Sequence, residues 1–153
     1  MNIQLTQKET DLLKDLKEQQ KLGVDKYNKH AAAAVDGQLK NLFTRFAQVE
    51  QQHLDTIVQL QSGTVAQPAN CGQNAQQTFT ATYNAVQTPD KQNDSYLCSD
   101  VLAMEKHASH LYDTCIFEFS DENARNLLNC IQKNAQNHGK MIYDYMSTNN
   151  MYS

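Results

Sequence analysis

The sequence predicts an all-α protein, a bundle of four long helices arranged as two hairpins. Apolar residues recur with helical spacing on both sides of a central segment, 62–94, in which this spacing is lost. Both prolines, Pro68 and Pro89, lie inside that segment, so the flanking parts contain no proline that would break a helix. The two flanking parts can also be aligned with each other, which indicates a duplicated hairpin.

The first hairpin covers about residues 6–61. Thr6 and Glu9 have the spacing of a capping box, in which each side chain bonds the backbone amide of the other residue. The turn "VDG" offers Asp36 as the N-cap of the second helix, and Gly63 ends that helix. The apolar faces of the two helices include three polar residues: Gln20, Glu50 and His53.

The second hairpin covers about residues 95–147 and is followed by a tail, 148–153, that we expect to fray. The linker 62–94 contains 33 residues (94 − 62 + 1). A helix of some 22 residues is about 33 Å long, so this linker can run back along the bundle as a crossover. The order up-down-down-up follows, within a single domain 1–153, and a short helix is expected near 79–86.

The duplication is visible without a gap. A shift of 85 residues superimposes Tyr27 on Tyr112 (112 − 27) and His53 on His138 (138 − 53). From position 12 to position 57 it gives ten identities over 46 pairs, against roughly three expected by chance. The other eight identical pairs are Leu12/Leu97, Asp15/Asp100, Lys21/Lys106, Asp36/Asp121, Asn41/Asn126, Leu42/Leu127, Gln51/Gln136 and Ile57/Ile142.

Five polar residues on the apolar faces fall at corresponding heights of the four helices. We call them the polar layer: Gln20, Glu50, His53, Glu105 and His138. A buried carboxylate without a partner costs several kcal/mol or becomes protonated. The acids and imidazoles of the polar layer should therefore satisfy one another or a metal ion.

The polar layer resembles that of the ferritin-like carboxylate-metal proteins. Their pattern is a glutamate with a tyrosine seven residues later, then Glu-x-x-His, and the same again in the second half. The tyrosine spacing is kept twice here, from Gln20 to Tyr27 and from Glu105 to Tyr112, whereas Glu-x-x-His is complete once. Two positions depart from the pattern: Gln20 is a neutral amide, and Ala135 stands where a bridging carboxylate is expected.

These departures bear on the chemistry. Two-metal oxidase centres need bridging carboxylates, and one bridge is missing. We therefore expect no catalytic residue, no enzymatic activity and no cofactor, but a hydrogen-bonded network to which the tyrosines donate. The alternative is one zinc, iron or manganese ion. The residues concerned are Glu50, His53, Glu105 and His138 as ligands, with Gln20, Tyr27 and Tyr112 around them.

Composition excludes several classes of protein. The formal net charge is −4 with only 13 lysines and arginines, too few for a nucleic-acid surface. We find no apolar stretch long enough to span a membrane and no signal-peptide pattern, so synthesis in the cytoplasm is expected. The four cysteines show no C-x-x-C pair and are expected to be free thiols; Cys71, in the linker, is the one expected to be exposed and available for crosslinking.

The second half resembles the Coat F domain of spore coat proteins from endospore-forming bacteria. The residues that carry the resemblance are Glu105, Lys106, Ser109, Tyr112, Glu118, Arg125, His138 and Met146. The segments "LKEQQ", "LKNLF" and "EQQH" of the first half resemble the upstream hairpin of the same family. The resemblance implies a ferritin-like four-helix bundle, made in the mother cell and deposited in the coat, with no established reaction.

Two functions are therefore weighed. The first is a structural component of the endospore coat that associates with itself, as a homo-oligomer, or with other coat proteins. The second is a ferritin-like metalloprotein with a site reduced to one ion, used for metal storage or for peroxide or oxidase chemistry. Neither nucleic acid nor a membrane is an expected partner.

Overall fold

The structure, a computed structural model, describes residues 1–68, 71 and 77–152. The predicted all-α four-helix bundle is confirmed. The helices are α1 (Gln7–Ala33), α2 (Gly37–Gln61), α3 (Pro89–Glu118) and α4 (Glu122–Thr148). Each helix begins after a side chain that accepts a hydrogen bond from its first turn, and Thr6 and Glu9 form the expected capping box.

Contacts between the hairpins fix the directions of the helices. At one end of the bundle the start of α1 meets the end of α3, where Lys8 pairs with Glu118 at 2.9 Å. At the other end, Tyr145 of α4 donates to Asp36, the N-cap of α2, at 2.7 Å. Each helix is thus antiparallel to its counterpart in the other hairpin. The order is up-down-down-up, so the linker crosses from one end of the bundle to the other.

The linker is shorter than predicted, because α3 begins at Pro89 instead of near residue 95. Thr88 caps this helix and Pro89 occupies its first turn, where a missing amide hydrogen costs nothing. Residues 79–86 form no helix, in contrast to the prediction. Phe79 is instead buried with its ring 5.4 Å from that of Tyr145, which fastens the linker to α4.

The start of the linker is paired with the N-terminal segment. Ile3 donates to the carbonyl of Gly63, and Val65 donates to the carbonyl of Met1. Gly63 has a φ of 85°, and a Cβ at this position would lie 2.5 Å from the Ile3 carbonyl oxygen. Only glycine therefore fits this close approach.

The duplication is reproduced in three dimensions. α1 ends at Ala33 and α3 ends at Glu118, again 85 residues apart. Glu9 accepts a hydrogen bond from the backbone of Ser120, in the turn of the second hairpin. Asp94 accepts one from the backbone of Val35, in the turn of the first. Both the acids and the turn residues are related by the shift of 85, so the two hairpins clamp each other in equivalent ways.

The apolar interior is divided by the polar layer. One cluster of buried residues surrounds Tyr27, Phe43 and Tyr145, and the other surrounds Leu16 and Tyr112. Among the described residues, no helix is long and apolar enough to cross a bilayer.

The cysteines depart in part from the expectation of free thiols. Cys71 is exposed, as predicted, but it forms a disulfide with Cys130 of α4 and so offers no free thiol for crosslinking. Cys98 and Cys115 are free and buried. A cysteine in a segment without periodic spacing has no partner that sequence alone identifies, which is why the pairing was not predicted.

The described part of the tail, 148–152, is docked where fraying was expected. Asn149 is buried, and its side-chain oxygen accepts hydrogen bonds from the backbone of Thr82 and Tyr83. The end of α4 is thus held by the linker.

Candidate functional site

Three members of the polar layer meet at the centre of the bundle. Glu50 of α2, Glu105 of α3 and His138 of α4 are buried, and one potential ligand atom from each lies within 4.8 Å of the other two. His138 Nδ1 is 3.4 Å from Glu50 Oε1 and 3.6 Å from Glu105 Oε2. Both distances exceed those of ordinary N–H···O hydrogen bonds, about 2.7 to 3.2 Å.

Glu50 connects the two halves of the polar layer. Its Oε1 faces His138, while its Oε2 accepts a hydrogen bond of 2.7 Å from the Gln20 amide. α1 approaches closely here because Gly23 has no side chain: a Cβ there would lie 3.4 Å from Glu50 Oε2. Glu50 thus has the orientation of a bridging carboxylate. On its Oε1 side lies the acidic half of the polar layer, Glu105 and His138, and on its Oε2 side lies the amide half, to which Gln20 belongs.

His53 lies apart from the three converging residues. Its Nδ1 is 3.8 Å from Glu50 Oε2, and its Nε2 lies 3.1 Å from the side-chain nitrogen of Asn134. Asn134 was not singled out from the sequence, although it directly precedes Ala135 and is buried. His53 therefore belongs to the amide half together with Gln20 and Asn134.

The two buried tyrosines have different surroundings. Tyr27 donates a hydrogen bond of 3.1 Å to Glu105 Oε1. Tyr112 is its duplicate, but its hydroxyl has no hydrogen-bond partner among the described residues. The duplicate of Glu105 is Gln20, whose amide nitrogen is directed to Glu50. The carboxylate that Tyr112 would need is missing from α1.

Phe46 holds the imidazole of His138 in place. The two rings are stacked with centroids 4.0 Å apart and an interplanar angle of 22°. This contact fixes the ring plane, so Nδ1 remains directed between the two carboxylates.

Burial and mutual attraction set the protonation of the cluster. Burial raises the pKa of Glu105 to about 7, and the nearby negative charge of Glu50 adds to the effect. Burial alone would lower the pKa of His138, but its two carboxylate neighbours outweigh this and raise it to about 9. Burial also opposes ionisation of Glu50, yet His138 and His53 overcome it and lower its pKa. The metal-free centre at neutral pH is an imidazolium between one carboxylate and a second acid that is partly protonated.

We expect the metal-free protein to lose stability as the pH rises from about 5 to about 9. Glu105 has a pKa of about 7 against an ordinary 4.5, and His138 about 9 against 6.5. In both windows the folded chain binds more protons than the unfolded chain, so each rise in pH favours unfolding. The lowered pKa of Glu50 acts oppositely: its contribution is present above about 4.5 and is lost in acid.

The measurement is thermal unfolding in the presence of a chelator at several pH values. The midpoint should fall by several degrees between about pH 5 and pH 9. Glu105→Gln should flatten the lower part of this slope, whereas Glu18→Gln, on the exposed surface, should leave it unchanged. A midpoint that rises steadily over the same range would contradict the assignment.

The geometry also fits one metal ion. An ion held at about 2.1 Å in tetrahedral geometry has ligand atoms about 3.4 Å apart. His138 lies 3.4 and 3.6 Å from its two carboxylate neighbours, so these edges match. Glu105 Oε2 and His138 Nδ1 are buried without hydrogen-bond partners among the described residues, and a cation would satisfy both. Glu50, Glu105 and His138 would hold it, and the bound ion would act as a Lewis acid.

Comparison with known proteins adds a family. Residues 93–153, which contain most of α3 and all of α4, match the model of the Coat F domain. No curated protein and no solved structure has a significant match to the chain. The match lies on the hairpin that supplies Glu105 and His138.

Proposed function

We propose that the protein is a structural component of the bacterial endospore coat, because residues 93–153 match the model of the Coat F domain. It is deposited there by association with copies of itself or with other coat proteins. The match to the Coat F domain is the observation that carries this proposal. In this function the polar layer sets the register of the helices and performs no reaction.

Two features of the molecule support an assembling protein. Only 20% of its residues are charged and the net charge is −4, so copies repel one another weakly. The ends of the bundle are also firmly held, since Asp94 and Glu9 clamp the turns and Asn149 fastens the linker. A rigid body with low surface charge is suited to packing in a layer.

The test combines localisation and association. A fluorescent fusion should be found at the spore surface of the sporulating organism, and sedimentation of the purified protein should show oligomers that grow with concentration. The sedimentation is repeated with reducing agent, which separates association of folded surfaces from disulfide exchange. A protein that stays monomeric at high concentration and spreads through the mother cell would refute the proposal.

A second candidate function is that of a ferritin-like metalloprotein with a single-ion site. It is favoured by one observation: the His138–carboxylate distances are too long for hydrogen bonds and match the edges of a coordination tetrahedron. Zinc, iron and manganese all accept imidazole and carboxylate ligands. The two candidates are compatible, because a metal-stabilised bundle can still be a coat component.

We expect protein purified without a histidine tag to contain about one equivalent of transition metal, measured by elemental analysis. Glu105→Gln should reduce this severalfold, because it removes a charged ligand while keeping the oxygen that Tyr27 bonds. Glu18→Gln is the control, as it makes the same change on the exposed surface. Less than about a tenth of an equivalent in the parent protein would refute the metalloprotein function and leave the structural one standing.

A further inference from the structure

A groove on the outside of the bundle leads to Glu105. It lies between α3 and α4, encloses about 410 Å³, and we call it the α3–α4 groove. Its lining is Leu102, Glu105, Lys106, Ser109, Ala135, Gln136 and Gly139. Glu105 is itself only 4% exposed, and its Oε2 has no hydrogen-bond partner among the described residues. Glu105 therefore lines a groove that solvent can enter, while its unsatisfied Oε2 is itself shielded from solvent.

The groove exists where the duplicated hairpins differ. Ala135 has only a methyl group and Gly139 has no side chain, and a Cβ at position 139 would meet Leu102 at 3.6 Å, an ordinary contact. The equivalent positions of the first hairpin are Glu50 and Leu54, which carry much larger side chains. The loss of the second bridging carboxylate has thus left free space beside the surviving acidic half.

We propose that the α3–α4 groove is the route by which a divalent transition-metal ion enters and leaves the site formed by Glu50, Glu105 and His138. This inference rests on the second candidate function. Glu105 is the first ligand that an incoming ion meets, since it alone of the three lines the groove. Ser109 and Gln136, whose side chains both contain an oxygen atom, also line the groove. Lys106 stands at the opening, and because it is exposed its long side chain keeps the ammonium group in solvent.

The route is tested through the rate of metal entry, with Co²⁺ as the probe because its absorption changes on binding. The protein is first stripped with a chelator, and association is followed by stopped flow. Gly139→Leu fills the groove without touching a ligand, so we expect the association and dissociation rates to fall by about tenfold while the dissociation constant stays within about twofold. Lys133→Leu adds the same side chain on the exposed side of α4 and should change neither rate.

A second variant tests the opening independently of packing. Lys106→Gln removes a positive charge from the opening, so Co²⁺ association should be about two- to fivefold faster at low salt, and the gain should shrink at high salt. Unchanged rates in both variants, with Co²⁺ still bound, would overturn the route and leave the single-ion site intact. Absence of Co²⁺ binding to the parent protein would overturn both. A change of equilibrium affinity with no change of association rate would also overturn the route, since a groove that only admits the ion acts on both rates equally.

Discussion

Replacing Asp94 by alanine is expected to lower the free energy of unfolding by about 3 to 5 kcal/mol. Asp94 is completely buried and accepts hydrogen bonds from Val35 N at 2.8 Å, Asp36 N at 2.9 Å and the Tyr83 hydroxyl at 2.6 Å. These donors belong to the α1–α2 turn and to the linker. Alanine would leave the buried Asp36 amide and the two partly buried donors without this acceptor, and each unsatisfied buried group costs about 1 to 3 kcal/mol.

Thermal or denaturant unfolding measures the loss, which corresponds to a midpoint about 10 °C lower for a protein of this size. Asp94→Asn keeps one acceptor oxygen and should lie between the parent and the alanine variant. Asp90→Ala, on the exposed first turn of the same helix, is the matched control and should cost no more than about 1 kcal/mol. If Asp94→Ala lowered the free energy of unfolding by no more than Asp90→Ala does, the hydrogen bonds of Asp94 would not be what holds the two hairpins together.

The sequence could predict the helices and the polar layer because both depend on periodic spacing. The shift of 85 brought Glu50, Glu105 and His138 to one level, and this is where the three are found together. The same shift also relates Glu9 to Asp94 and Val35 to Ser120. The contacts of Glu9 and Asp94 with the opposite turns could have been predicted by extending the comparison beyond identical residues, since these two positions share their charge but not their identity.

Other features could not be predicted, because they depend on contacts that have no period. The side-chain nitrogen of Asn134 lies beside His53, and nothing in the spacing distinguishes it from the surface amides around it. The disulfide joins Cys71 of the linker to Cys130, and a linker has no regular geometry from which to place a cysteine. The docking of Asn149 onto residues 82 and 83 likewise requires knowledge of the linker path.

The asymmetry between the halves decides what the polar layer can do. The acidic half contains Glu105 and His138, and the amide half contains Gln20, His53 and Asn134. Glu50 faces both: its Oε1 is directed to His138, while its Oε2 accepts from the Gln20 amide and lies 3.8 Å from the His53 imidazole. A second ion would lack charge neutralisation in the amide half, so we expect this chain to bind at most one ion.

Restoring the missing acids should convert this limit into two ions. In the double variant Gln20→Glu with Ala135→Glu, we expect about two equivalents of Mn²⁺ or Fe²⁺, against the one expected for the parent. The new carboxylate at position 135 has room, because Ala135 lines the α3–α4 groove, and the one at position 20 would face Glu50 and Tyr112 as Glu105 faces its own neighbours. Glutamate is a good helix former, so the backbone should tolerate both changes.

The stability of the double variant should depend strongly on metal. Without an ion, four buried acids repel one another, and unfolding should become easier by about 3 kcal/mol or more. Saturating Mn²⁺ should reverse this, since ligand present at about a thousand times its dissociation constant stabilises by about 4 kcal/mol.

Elemental analysis and thermal unfolding with and without chelator measure both effects, and paired Mn²⁺ ions would show magnetic coupling. The single variant Ala135→Gln, which adds a side chain of the same size without an acid, controls for size and should bind no second ion. If the acidic variant also stays at one equivalent, the absent carboxylates are not what limits this bundle to a single ion.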